Sequence, residues 1–483
     1  MASSTALERR WLTLVAMTGS LSMIMLDSTI LGVALPKMAR DLSMSPSAQA
    51  WVVNAYLVAM ASCVALFGRL GDRIGRVWAF RIGVAAFALA SIGCALATAA
   101  WALICARAAQ GVAAAVMQPA SAAIVVDLYP PDRRGRAMAT YAGVSLLFLA
   151  AGPLVGGALL TLASWHWCFW VNVPLALVAI TLTGITSIPR HAHKSRPIDW
   201  PSAVLLLCGM PMLVLGLHSV RTGASMAAGA LALILPASAA LYLFARRQVL
   251  IDAPLIDLKP LRDRALLASA CTLGAFQLIT VSQGIYGSSF LQGALHFTPM
   301  EAGLATLPMM VPVLGVVHFA GRMYDKSGPR RPVLMGLSLT ALGAIIESVG
   351  VAVLSYPTMA IGMALIGTGC GFAMSPSTAD ALARARGHQR GEVSGIVQTF
   401  RLCGGALGVA LFALVLQTTA PATPTPATPT PARDASSMPA DLSPSGVAMG
   451  FALHAFVALA VLALAAACVR SRADTQDGST ATT

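Results

Sequence analysis

Asp27 stands inside an apolar run that extends from Trp11 to Leu35. About 20 apolar residues suffice to cross a bilayer, and an aspartate at that depth costs at least about 2.5 kcal/mol on insertion scales. Both flanks are apolar for about two helical turns, so so short a side chain cannot reach an interface. Such a carboxyl belongs in a bundle interior or a watery cavity. Arg107, in Arg107-Ala108-Ala109-Gln110-Gly111, also lies within a span and is the candidate partner of Asp27. A purely structural salt bridge is the alternative reading of that pair. Later in the chain, Gln398 and Arg401 share one helix face, continued by Gly404 and Gly408. Gln277, Thr280 and Gln283 form a loose polar stripe on another span. Asp27, Gln110, Gln277, Gln283, Gln398 and Arg401 are the polar side chains expected to line a watery cavity, with Asp27 and Arg107 as the pair suited to exchange a proton. Glu347 lies close to the outer end of its span and is expected to reach the interface, with a second proton-handling acid as the alternative reading. His318 and His454 are isolated within spans and are expected to take no part in transport.

The elements that position these residues follow from composition. Of 483 residues, 57% are hydrophobic and 11% charged, which marks an all-α polytopic membrane protein. About fourteen apolar runs are long enough to span. The net charge of +13 would suit a nucleic-acid partner, but its placement argues for topology. Basic residues crowd into alternate loops, for example Arg69, Arg73, Arg76 and Arg81, then Arg133, Arg134 and Arg136, then Arg322, Lys326, Arg330 and Arg331. The other loops hold only Lys37, Arg40, Arg221 and Arg433. The positive-inside rule puts the crowded side, and both termini, in the cytoplasm. No concentrated basic patch remains for nucleic acid. The basic N-terminus and the run after it read as an uncleaved first span, too long for a signal peptide. The nine cysteines lie in or beside apolar runs without a Cys-x-x-Cys, and are expected to be small buried apolar groups. No Gly-x-x-x-x-Gly-Lys loop is present, so ATP drive is not expected. No Cys-x-x-Cys or His cluster is present to hold a metal, and neither an enzymatic activity nor a cofactor is expected.

An internal repeat organises the chain. Gly68-Arg69-Leu70-Gly71-Asp72-Arg73-Ile74-Gly75-Arg76 follows the second run, and Gly321-Arg322-Met323-Tyr324-Asp325-Lys326-Ser327-Gly328 follows the tenth. Glycine, base, acid, base and glycine recur at one spacing. This predicts two parallel six-helix bundles, residues 1–188 and 266–483, with two inserted spans in 189–265. A Pro/Thr-rich external loop, 418–446, precedes the last span, and its Pro421–Ala432 part is expected to be extended and solvated.

With these motifs the chain resembles the major facilitator superfamily, and within it the fourteen-span drug:proton antiporters. Gly68–Arg76 is similar to the superfamily's cytoplasmic signature, departing at Val77 where a second base is common. Gly68, Asp72, Arg73, Gly75 and Arg76, with Gly321, Asp325 and Gly328, would form its gating loops. Its physical content is a tight glycine turn, an acid able to cap a helix, and bases near lipid phosphates. Arg107 to Gly111 resembles the proton-transfer motif. Gly143, then Gly152-Pro153-Leu154-Val155-Gly156-Gly157, resembles the antiporter motif, with Gly152, Pro153, Gly156 and Gly157 as its functional positions. Trp165-His166-Trp167-Cys168-Phe169-Trp170-Val171-Asn172 also resembles a family stretch, with His166 where arginine is usual; its aromatics are expected to form an interfacial belt. Gly32 stands where asparagine is usual in the first span. The resemblance implies a proton-driven exporter of amphiphilic small molecules in the cytoplasmic membrane, acting as a monomer, with its cavity between the halves. A proton-coupled importer on the same fold, or a membrane sensor that binds without transport, remain alternatives.

Overall fold

A computed structural model describes residues 2–129, 134–186, 198–219, 224–252, 254–384, 390–419 and 443–469. Among these residues, fourteen helices are long and apolar enough to cross a membrane. In chain order these spans are Arg10–Asp41, Ser47–Ile74, Arg76–Ala95, Ala100–Leu128, Gly143–Leu162, Trp167–Ile185 and Trp200–Leu217, then Gly229–Leu250, Arg264–Gly293, Pro299–Ser327, Arg330–Ala352, Tyr356–Arg384, Val393–Thr419 and Pro444–Cys468. Helices are the expected solution, because each satisfies its own backbone hydrogen bonds without water. The segment Pro421–Ala432 lies outside the described residues.

Local sequence sets several boundaries. Ser45 accepts from the Ala48 N–H to start the second span, and Asp263 accepts from Ala265 to start the ninth. Thr298 and Glu301 close a reciprocal capping box at the tenth. Gly75 and Gly328 end the second and tenth spans at φ +97° and +75°, a left-handed backbone that glycine adopts without strain. The ninth span changes winding at Gln283–Gly287, which forms a π-helical turn.

The chain divides into two compact units, Met1–Gly216 with Leu231–Ile256, and Leu217–Ala230 with Asp257–Thr483. In the first unit, the first span packs on the fourth, fifth and sixth, the second on the fourth, and the third on the fourth and sixth. In the second unit, the ninth packs on the twelfth, thirteenth and fourteenth, the tenth on the twelfth, and the eleventh on the twelfth and fourteenth. The pairing is therefore the same, helix for helix, as a parallel repeat requires. The close approaches recur too. A Cβ at Gly111 would stand 2.3 Å from the Tyr56 carbonyl oxygen, and one at Gly367 would stand 2.0 Å from that of Met309. Small residues are what permit such helix contacts in lipid.

Large apolar side chains such as Leu89, Trp101 and Leu162 are exposed along the spans, as lipid contact favours. Two expectations need correcting here. Cys105 and Cys208 are exposed, not buried, because an apolar run does not distinguish a lipid face from a core face. The aromatics after the fifth span form no simple belt. Trp167 is exposed, but Trp165 and Phe169 are each 1% exposed, and Trp165 donates to Asp41 Oδ2 at 2.9 Å. The reason is that Trp165 stacks on His166, meets Phe169 edge-on and bonds Asp41, which holds these rings inward while Trp167 faces out.

Candidate functional site

Five spans of the first unit converge on Asp27. Arg107 Nη1 donates to Asp27 Oδ2 at 2.7 Å and to Gln110 Oε1 at 2.7 Å. Gln110 Nε2 donates to Asp27 Oδ1 at 3.1 Å and to Ser91 Oγ at 2.9 Å. Asn172 Nδ2 lies 3.4 Å from both Asp27 Oδ1 and Ser91 Oγ. Arg107 Nε donates to the Val52 carbonyl at 3.1 Å, and its guanidinium lies over the Tyr56 ring at 4.5 Å. Asp27, Arg107, Gln110, Ser91 and Asn172 are all buried. Two charges in such a place cost several kcal/mol each in lost hydration, about the scale that only close pairing with further hydrogen bonds recovers. The sequence named Asp27, Arg107 and Gln110. It missed Ser91 and Tyr56, which carry no signal in a run of apolar residues. Asn172 was legible only as part of the aromatic stretch.

The antiporter motif is tied to the same helix. Pro153 lacks an N–H, so the carbonyl of Leu149, four residues earlier, loses its partner within the fifth span. Thr29 Oγ1 lies 3.1 Å from that carbonyl and donates to it. The approach depends on Gly152, where a Cβ would stand 1.8 Å from Thr29 Oγ1. At Gly156 a Cβ would stand 3.2 Å from the Ile30 carbonyl oxygen. Gly157 is buried, and its carbonyl accepts from Thr161 at 2.8 Å. One residue separates Asp27 from Thr29, so the carboxyl and the hydroxyl that meets the Leu149 carbonyl sit on one turn of the first span.

At the signature loop, Arg76 donates through Nε to Asp72 at 2.9 Å and through Nη1 to Asp127 at 2.6 Å. Asp127 went unrecognised in the sequence because it lies 51 residues away. Asp72 was expected to cap a helix. Instead Gly75 heads the third span without a side-chain cap, because Asp72 still belongs to the last turn of the second and is held by Arg76. Arg73 is exposed. Arg69 was expected near lipid, yet it donates to the Pro254 carbonyl at 2.6 Å, since the segment after the eighth span runs beside it. A Cβ at Gly68 would stand 3.8 Å from Pro119 Cβ. In the second copy, Gly321 is half-buried, Asp325 exposed and Gly328 buried.

The second unit separates its polar residues. Arg401 Nη2 donates to Gln277 Oε1 at 3.3 Å, and Gln398 is half-buried one turn earlier on the same span. Gln283 is buried elsewhere, donating to Glu347. The loose stripe on the ninth span is thus divided between two neighbours, because the helix rotates and the π turn begins at Gln283. Glu347 was expected at the interface but is 0% exposed. It faces the ninth and twelfth spans, so its side chain has no route outward. His454 is also buried, with Nε2 at 2.8 Å from Ser282 Oγ, while His318 is exposed.

The chain matches the Major Facilitator Superfamily over residues 17–409. It belongs to that superfamily. Superfamily relatives include the puromycin resistance protein of Streptomyces alboniger, 32% identical over 84% of this chain and 82% of that protein. The tetracenomycin C resistance and export protein of Streptomyces glaucescens is 28% identical over 84% of this chain and 76% of that protein. A multidrug resistance protein B homolog of Mycobacterium tuberculosis is 30% identical over 81% and 73%. Among solved structures, a D-xylose-proton symporter superposes with TM-score 0.65 at 14% identity, covering 94% of this chain and 96% of that one. The inward-open xylose transporter of E. coli gives 0.62 at 12% identity over 95% and 96%. These superpositions carry the major facilitator fold, and the chain is a multi-pass membrane transporter of that superfamily.

Proposed function

We propose that this chain exports drugs, antibiotics or related amphiphilic small molecules from the cytoplasm in exchange for protons, with Asp27 as the coupling carboxyl. The buried Asp27–Arg107–Gln110 constellation carries this reading, and the relatives named for puromycin, tetracenomycin C and multidrug resistance support the direction and substrate class. Arg107 has acceptors besides Asp27, namely Gln110 Oε1 and the Val52 carbonyl, together with the Tyr56 ring face. Its charge is therefore not orphaned when Asp27 takes a proton. Asn172 Oδ1 has no partner among the described residues, so an acceptor is at hand for a protonated Asp27. The two forms of the carboxyl thus use different members of one shell, which is what coupling to a change of access requires.

Gln277, Gln398 and Arg401 are the proposed substrate contacts in the C-terminal half. The proposed domains are bundles 1–188 and 266–483 with two inserted helices between. The protein works as a monomer in the cytoplasmic membrane, both termini inside. The test is ethidium movement in proteoliposomes under an imposed proton gradient. The wild type should move ethidium against the gradient's proton flow, and Asp27→Asn should lose this movement while folding normally. Gradient-driven ethidium transport by Asp27→Asn at the wild-type rate refutes the assignment.

A further inference from the structure

The second unit holds a buried carboxyl that the reading above does not use. Glu347 lies five residues before the end of the eleventh span at Ala352, about 8 Å along the helix axis. Its Oε1 accepts from Gln283 Nε2, and its Oε2 has no partner among the described residues. Gln283 Oε1 has none either. Two side chains in contact therefore leave two buried acceptor oxygens without a hydrogen, and one proton on the carboxyl gives the pair the donor it lacks. A carboxylate here would face only a neutral amide. Leaving such a charge unpaired in an apolar interior is among the costliest arrangements a protein adopts.

Among the described residues, no cation compensates Glu347. From the ninth span comes Tyr286, which donates to the Val409 carbonyl at 3.2 Å. From the fourteenth comes His454, engaged with Ser282. The twelfth meets Glu347 with Gly362, where a Cβ would stand 2.7 Å from Glu347 Cβ. That span's titratable groups are engaged elsewhere, Tyr356 with the Ala305 carbonyl, Cys370 with Met374, and Asp380 with Ser269 and Arg384. Glu301 of the tenth caps its own helix with Thr298.

Placement adds a second argument. Gln283 opens the π-helical turn of the ninth span, and such turns recur where a helix serves a function. Gln283 and Glu347 join the ninth and eleventh spans, which correspond in the repeat to the first and third, the suppliers of Asp27 and Ser91. The same pair of helices carries buried polar side chains in both units. Side-chain packing alone would be served by glutamine or methionine at 347, without the cost of an ionisable group.

We propose that Glu347 is a second proton-binding site, in which the carboxyl takes up one proton, hydrogen-bonds Gln283, and releases that proton when the π turn lets water reach it. Its part in transport rests on the proton-exchange reading above; its protonation does not. Infrared spectroscopy of the full-length protein in lipid nanodiscs at neutral pH tests it directly. A protonated-carboxyl carbonyl band is expected in the wild type and in Asp27→Asn, absent in Glu347→Gln, and shifted but present in Gln283→Leu. In proteoliposomes, Glu347→Gln should lower the protons moved per ethidium by one. A band that survives Glu347→Gln, or a wild type without one, overturns the proposal. A wild type that shows the band but moves ethidium without protons overturns the coupling reading and leaves the site standing.

Discussion

Thr29→Val isolates the link between the helix of Asp27 and the Pro153 turn of the fifth span. Valine keeps the shape of threonine and removes the hydroxyl that caps the Leu149 carbonyl. An unsatisfied carbonyl costs about 1–3 kcal/mol. Hydrogen bonds between spans measure about 0.6 kcal/mol on average and about 1.7 at most. The Thr29 hydroxyl also lies 3.2 Å and 3.3 Å from the Met25 and Leu26 carbonyls, so its donation is shared. A loss near 1 kcal/mol is therefore expected, about a fivefold change in the unfolding equilibrium. Pro153→Ala supplies the missing N–H, which can bond Leu149 within the helix. In that background Thr29→Val should cost close to nothing. The cycle is read from unfolding in mixed detergent micelles, with Thr29→Ser as the rescue that restores the donor. Additivity of the two changes to within about 0.3 kcal/mol would refute the cap, because independent sites add to that precision. Ethidium transport by the same four proteins reports whether transport needs the cap.

Two further outcomes follow from the packing. Gly408→Leu places a Cβ at 2.4 Å from the Leu278 carbonyl, so the yield of folded protein should fall by the effect of overpacking, about 1–3 kcal/mol or more, whereas Gly395→Leu on the same span meets nothing within 4 Å and should express normally. Equal yields would contradict a close ninth–thirteenth interface. At the start of the seventh span, Arg247 donates to Asp199 at 3.0 Å through two nitrogens and holds its carboxyl below the usual carboxylate range. A depressed folded value means the stabilisation is present above the unfolded value of about 3.9 and is lost as pH falls through the folded one. The thermal-stability advantage of wild type over Asp199→Asn should therefore persist near about pH 6 and shrink toward about pH 3. A pH-independent difference would remove the ion pair from the account.

Hydropathy and charge were enough to recover the spans, because crossing a bilayer is a local demand met by each run of the chain on its own. Arg107 stood out for the same reason as Asp27: an ion in an apolar run is conspicuous without any knowledge of its neighbours. The repeat of Gly68–Arg76 at Gly321–Gly328 likewise announced the two units, whose helix pairing then agrees. Partners were another matter. Whether Arg76 meets Asp127, whether Thr29 reaches Leu149, and whether Gln283 turns to Glu347 or joins Gln277 depend on how each helix is rotated. That rotation is decided by contacts between segments far apart in the chain. Ser91 and Asn172 are ordinary residues until packing places them beside a charge. Glu347 shows the limit most plainly: nearness to a span's end implied an interface, but the direction of a side chain around its helix is a tertiary property, and here it points into the bundle.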